Sequence, residues 1–284
     1  MVRRPFGWTG VEVSVIGQGT WRMEGWRGTE RRAIEALRLG LDLGLTHIDT
    51  AEMYGDGRVE ELVAEAIAGR RHEVFLVSKV LPSNASYRGT LAACDRSLSR
   101  LRTDWLDLYL LHWPSDRYPI AETMAAMEAL VAAGKVRFIG VSNFDVQELA
   151  AAQRALSRER LACDQVLYHL EARGIERRLL PYCAEHGIAV VAYSPFAQGR
   201  FPSPRSPRGR LLAEIGARYG RTPRQVALAF LTRHPHVFAI PKAGHPDHVR
   251  ENAGGAGWTL APEDVAAIDR AFPAPDTDVP LWML

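Results

Sequence analysis

Several features that mark specialised proteins are scarce in this chain. There are three cysteines, Cys94, Cys163 and Cys183, an odd number without paired spacing. A disulfide framework or a zinc site needs pairs, so the thiols are expected to be reduced, buried core residues of a cytoplasmic protein. No apolar run approaches the length of a membrane span, and "MVRRPFGWTG" at the start has charge but no apolar signal core. The net charge is only +2 and no block of lysine and arginine occurs, so neither nucleic acid nor a membrane is an expected partner. No composition shift marks a second domain, and residues 1–284 read as one unit.

What the chain does have is alternation. Short apolar runs read as buried strands: "VFLVSK" (74–79), "LDLYLLH" (106–112), "VRFIGVSN" (136–143), "CDQVLY" (163–168), "AVVAYS" (189–194) and "VFAIPK" (237–242). "VIG" (15–17) and "THID" (46–49) are weaker members. Between them lie helical patterns, such as Ile34, Leu37 and Leu41 on one face. Asp145 with Glu148, and Thr222 with Pro223 and Gln225, are helix-start signals, and Gly134 is a helix stop.

Eight strands with intervening helices fit an α/β fold, either an open doubly wound sheet or a (β/α)8 barrel. Length favours the barrel, and no complete glycine-rich dinucleotide fingerprint follows the first strand. "GQGTW" (17–21) is only a partial glycine pattern. "GRFPSPRSPRGR" (199–210) is expected to be a long, mobile loop after the seventh barrel strand.

In a barrel, chemistry gathers at the C-terminal strand ends. Asp49, Lys79, His112, Ser142 with Asn143, Tyr193 and Lys242 all fall there, and Gln165 lies in the sixth strand. Packing alone does not explain so many polar groups on one rim, and a buried lysine and aspartate are costly unless paired. A tyrosine is a weak acid, with an unperturbed pKa of about 10. A neighbouring ammonium favours the phenolate, so Lys79, held by Asp49, is expected to lower the pKa of Tyr54. With His112 donating to a substrate oxygen, Tyr54 becomes a general acid aimed at a carbonyl, as hydride reduction to an alcohol requires.

"DTAEMY" (49–54), the lysine of "LVSKV" and the histidine of "YLLHW" resemble the catalytic motifs of the aldo-keto reductases. "GQGTW", "GVSNF", "CDQVLYHL", "AYSPF" and "IPK" follow in that family's order, most like bacterial methylglyoxal-reductase-type members. The resemblance implies a TIM barrel with an N-terminal hairpin plugging its bottom ("RRPFGWTGVEVSVIG"). It implies Asp49, Tyr54, Lys79 and His112 as a catalytic tetrad, NADPH as cofactor with NADH as an alternative, and a small carbonyl compound as substrate. No metal is implied.

By the same resemblance, Ser142, Asn143 and Gln165 hold the nicotinamide carboxamide and Tyr193 stacks on its ring. Ser194, Pro195, Phe196 and Gln198 approach the pyrophosphate. Lys242 faces the adenosine 2′-phosphate, and Glu251 and Asn252 the adenine. Thr20, Trp21 and Ile240 complete the cofactor set. Trp21, Trp113, Tyr54 and His112 surround the substrate, with Trp282 of the tail as a further candidate.

One departure concerns the phosphate. Where many NADPH-preferring relatives place serine and arginine, this chain has Ala243 and His248, and a histidine pairs with phosphate only while protonated. Two rival readings remain. One is a regulatory barrel that binds cofactor with little turnover. The other is a metal-dependent barrel hydrolase built on His47 and Asp49 with His112 and His169. No signal for oligomeric state is present.

Overall fold

The apolar runs close into a cylinder because alternate residues of each strand share an interior. The computed structural model describes residues 1–283. An antiparallel hairpin comes first, β1 (Arg3–Pro5) and β2 (Glu12–Ser14). Eight parallel strands follow, each beside its neighbour in the chain. They are β3 (Gln18–Gly19), β4 (His47–Asp49), β5 (Phe75–Val80), β6 (Leu106–Leu111), β7 (Val136–Ser142), β8 (Leu161–Leu167), β9 (Ala189–Tyr193) and β10 (Val237–Ala239).

The first and last strands meet through parallel bridges, Ile16 to Ala239 and Gly19 to Lys242. A Cβ on Gly19 would lie 2.5 Å from the Ile240 carbonyl, so this seam closes only on glycine. The result is the expected (β/α)8 barrel. The β3–β4 ladder falls on Gln18 and Gly19, just beyond the predicted "VIG". Hydropathy picks out apolar burial, whereas the paired residues here are a glutamine and a glycine, which carry no apolar signal.

The outer layer consists of α1 (Arg27–Asp42), α2 (Arg58–Ala66), α3 (Tyr87–Leu101), α4 (Ile120–Ala132), α5 (Val146–Ala155), α6 (Leu179–His186), α7 (Pro207–Tyr219), α8 (Pro223–Leu231), α9 (Pro246–Ala253) and α10 (Pro262–Ala271). Asp145 with Glu148, and Thr222 with Gln225, form reciprocal capping boxes at the starts of α5 and α8. The predicted loop at 199–210 needs correction. Gly199 closes a short 3-10 turn, and Pro207–Arg210 are the first turn of α7, because Ser206 caps Gly209 N and Pro207 fits the first helical position. Cys94, Cys163 and Cys183 are buried and unpaired. No helix among the described residues is long and apolar enough to cross a membrane.

Inside the barrel the inward residues change character with height. Val77, Leu108, Leu110, Cys163, Val191 and Ile240 pack as one apolar cluster with Phe6, Phe75 and Phe238. Above them the next inward positions are Lys79, His112, Gln165 and Tyr193. Phe6 sits between the hairpin strands and is fully buried, its ring 5.0 Å from those of both Phe75 and Phe238. Trp8 anchors the plug by donating from its indole to Leu161 O at 2.8 Å. Phe6→Ala should therefore cost about 3–5 kcal/mol of stability by opening a cavity that the rigid barrel cannot collapse. A urea titration reads this as a lowered midpoint with unchanged slope. An unchanged midpoint would show that the plug contributes nothing.

Candidate active site

The polar strand ends converge on the rim opposite the plug. Asp49 pairs with Val77 across β4 and β5, so Lys79, the next inward residue of β5, reaches back to it. Lys79 Nζ donates to Asp49 Oδ2 at 2.7 Å and to Thr50 O at 2.9 Å, and lies 3.3 Å from the Tyr54 hydroxyl. The remaining Asp49 oxygen accepts from Gln165 Nε2 at 2.7 Å. Thr20 Oγ1 donates to Asp49 O at 2.8 Å. The Tyr54 and His112 rings meet edge to face at 5.8 Å.

A second chain of bonds fixes the far wall. Ser142 Oγ donates to Gln165 O at 2.7 Å, and Asn143 Nδ2 to His112 O at 3.1 Å. Tyr193 donates its hydroxyl to Asn143 Oδ1 at 2.8 Å, which fixes the plane of its half-buried ring. Gly140 lets β7 lie close to β8 at the irregularity in their ladder, since a Cβ would lie 2.6 Å from Cys163 O. Among the described residues, seven non-glycine positions have positive φ, and Asn143, Ser194, Ala197 and Gln198 are four of them. Backbone strain is thus concentrated where β7 and β9 feed their loops.

Burial determines the charge states. Tyr54 is raised above the ordinary phenol range, chiefly by desolvation, with Lys79 pulling down and Asp49 pushing up. The expected lowering by Lys79 is overturned: its attraction is present but smaller than the cost of a buried phenolate. Burial alone would lower Lys79, but the charge and hydrogen bond of Asp49, with Tyr54, carry it above its ordinary value. His112 is held well below the usual imidazole range, first by burial and then by Lys79. At neutral pH the rim therefore holds an ammonium, a protonated phenol and a neutral imidazole. Such a set can donate a proton and a hydrogen bond to one carbonyl oxygen.

These groups line a cavity of about 150 Å³. Gly19, Thr20, Trp21, Asp49, Tyr54, His112, Trp113, Ser142, Asn143, Gln165, Tyr193, Ser194, Ile240 and Lys242 of the sequence motifs all reach it. Met53 also lines it and was missed by sequence reasoning; its only signal is adjacency to Tyr54. Pro195, Phe196, Gln198, Ala243, His248, Glu251 and Asn252 lie outside the cavity, along the segment after β9 and on or just before α9. His248 is exposed, with its ring 5.7 Å from that of His245, while Arg250 pairs with Asp247 at 3.2 Å.

Trp282 is not part of this pocket. It lines a separate cavity of about 370 Å³ between the C-terminal tail and the segments around Gly174–Glu176 and α6. The aromatics that line the Tyr54 cavity are Trp21, Tyr54, Trp113 and Tyr193.

The hydrolase alternative fails on His47. It is fully buried between the rings of Phe6 and Phe75, and its pKa is pushed down to about 3 by burial and then Lys79. Among the described residues, no three His, Cys, Asp or Glu side chains gather as metal ligands do.

The chain has close relatives. It is 44% identical over 274 residues to "Methylglyoxal reductase YeaE" of Escherichia coli, covering 96% of each chain. It is 34% identical over 274 residues to "Glyoxal reductase" of Bacillus subtilis, covering 94% of each. A crystal structure of an aldo-keto reductase from Klebsiella pneumoniae in complex with NADPH superposes with a TM-score of 0.93 at 45% identity, over the full length of both chains. Residues 15–272 match the sequence pattern of the Aldo/keto reductase family. With the barrel, the buried Lys79–Asp49 pair and Tyr54 in place, the chain belongs to the aldo/keto reductase family.

Proposed function

We propose that this protein reduces small aldehydes and dicarbonyls to alcohols with NADPH, using Tyr54 as the proton donor. One observation carries the assignment: the Tyr54 hydroxyl lies 3.3 Å from the Lys79 ammonium, on the wall of a cavity whose lining charges are Asp49, paired with Lys79, and Lys242, exposed at the rim. Asp49 offsets the charge of Lys79, and neutral His112 orients the substrate oxygen. When bound, the nicotinamide supplies the hydride.

The residues present fit that cofactor. Tyr193 offers a flat ring locked through Asn143, and Ser142, Asn143 and Gln165 bring amide and hydroxyl groups to the same wall. Lys242 is an exposed cation at the rim, suited to a phosphate. The Klebsiella pneumoniae relatives solved with NADP and NADPH support the choice. A cytoplasmic location is part of the proposal and rests on the three unpaired thiols.

Tyr54→Phe should retain NADPH binding in a fluorescence titration and lose about 10²- to 10⁴-fold in aldehyde reduction. Because burial raises Tyr54, the phenol keeps its proton, and wild-type turnover at saturating cofactor should stay flat across about pH 7–9. Near-normal turnover of the variant would end the assignment.

Substrate range follows from space and lining. A cofactor ring takes part of about 150 Å³, and the remaining wall is Trp21, Met53, Trp113 and Tyr54, with few groups to pair sugar hydroxyls. Methylglyoxal and nitrobenzaldehyde should be reduced well and glucose-like sugars poorly. The methylglyoxal- and glyoxal-reductase relatives support the first choice. A sugar aldehyde with the higher kcat/KM would show that the pocket has been misread.

Cofactor preference should depend on the residue at 248. Lys242 favours NADPH over NADH, while exposed His248 stands at the start of α9, where a guanidinium could add a bidentate phosphate contact. His248→Arg should tighten NADPH and leave NADH little changed. Dissociation constants for both cofactors decide this. An unchanged NADPH constant in the variant would remove position 248 from the phosphate site.

A further inference from the structure

Two buried carboxylates flank Tyr54 in the chain, and neither lines the cavity. Glu60, in the first turn of α2, is fully buried. Its Oε1 accepts from Ser78 Oγ at 2.6 Å and its Oε2 from Arg100 Nε at 2.6 Å. Glu52 accepts from Leu81 N at 2.8 Å and Asn84 Nδ2 at 2.9 Å, and its other oxygen faces Arg96 at 3.4 Å. Ser78 immediately precedes Lys79 on β5, and Leu81 follows it by two. Arg96 and Arg100 are one turn apart on α3.

The segment between the carboxylates is not regular helix. Gly55, Asp56 and Gly57 have φ of 55°, 50° and 90°, three left-handed residues directly after Tyr54. Local backbone bonds, such as Asp56 N to Met53 O at 3.3 Å, close the turn, but three successive left-handed residues are strained and gain from contacts outside it. It passes against α3, since a Cβ on Gly57 would lie 2.4 Å from Arg100 Nε.

We propose that Glu52 and Glu60, each paired with an arginine of α3, are positioning residues that clamp the Tyr54 turn onto β5 and so set the Tyr54–Lys79 separation. The clamp rests on the reading of Tyr54 as proton donor. Both carboxylates bridge the same two segments, one on each side of the acid and its ammonium. The bonds of Glu60 are charge-assisted and shielded from water, unlike a surface ion pair, and those of Glu52 to Leu81 N and Asn84 are charge-assisted from a buried carboxylate whose arginine partner is half-exposed. Displacing the hydroxyl by about 1 Å is enough to cost up to about 10²-fold in rate.

Tyr54 faces Lys79 from β5, Asp49 from β4 and His112 after β6, while Arg100 of α3 reaches its turn. Lys79 is the one charge among these that pulls the phenol toward ionisation. Alcohol oxidation, the reverse reaction, needs the phenolate, so its rise with pH reports the Tyr54–Lys79 separation. A loosened clamp moves that rise to higher pH, which a loss of stability alone would not do.

The test uses Ser78→Ala, Glu52→Ala, Glu52→Gln and Arg96→Met, with NADPH binding as the check on folding. Ser78→Ala and Glu52→Ala should lower kcat about tenfold, leave the NADPH dissociation constant within about twofold, and shift the oxidation profile upward by about one pH unit. Glu52→Gln keeps an acceptor for Leu81 N but loses the charge facing Arg96, so it should recover part of both and resemble Arg96→Met. Arg96, half-exposed, tolerates replacement, so Arg96→Met should shift the profile the same way even if a buried variant does not fold. Wild-type kcat and profile in Arg96→Met and in the folded buried variants, with Tyr54→Phe inactive, overturn the clamp alone. An active Tyr54→Phe overturns the acid assignment instead.

Discussion

An ammonium group with no solvent exposure sits at the top of the barrel, and the arrangement of the rim follows from keeping it there. Burying Lys79 without Asp49 would cost several kcal/mol, and removing one partner of such a pair typically costs about 3–5 kcal/mol. The pair exists because the β4–β5 register sets Asp49 opposite Val77, one inward position below Lys79. Thr50 O, Gln165 and the Tyr54 hydroxyl then complete the hydrogen-bonding needs of both charges.

One environment yields three protonation outcomes because only one group has a counter-ion. Desolvation acts on Tyr54, Lys79 and His112 alike, always against the charged form. Asp49 reverses its effect for Lys79 and nothing does so for His112. For Tyr54 the opposing pulls of Lys79 and Asp49 leave burial dominant. The phenol is a better reservoir of a proton than a source of phenolate, which suits reduction more than oxidation.

Much of this was legible in the sequence for a physical reason. Barrel strands project alternate residues inward, so a polar residue ending an apolar run announces a rim position; Lys79, His112 and Tyr193 all read correctly. Capping boxes at Asp145 and Thr222 are local chemistry and were equally plain. What failed depended on balance or on distance. The sign of the Tyr54 shift compares burial with attraction, and a sequence contains neither magnitude. Trp282 was drawn toward the substrate by composition, but the tail's path is decided by contacts such as Arg177 with Asp278. The carboxylates Glu52 and Glu60 look like ordinary surface acids until folding brings Ser78, Leu81, Arg96 and Arg100 to them.

The plug at the other end has a consequence for traffic. With Phe6 wedged among Phe75, Phe238 and His47, the cylinder is stoppered, and its single mouth must serve every molecule that enters or leaves. Gln165 and Asp49 are buried beside that mouth, while Met53 is exposed and Trp21 and Trp113 are half-buried. The barrel is thus a vessel with one door, and whatever meets the Tyr54 hydroxyl comes and goes past the same aromatic lip.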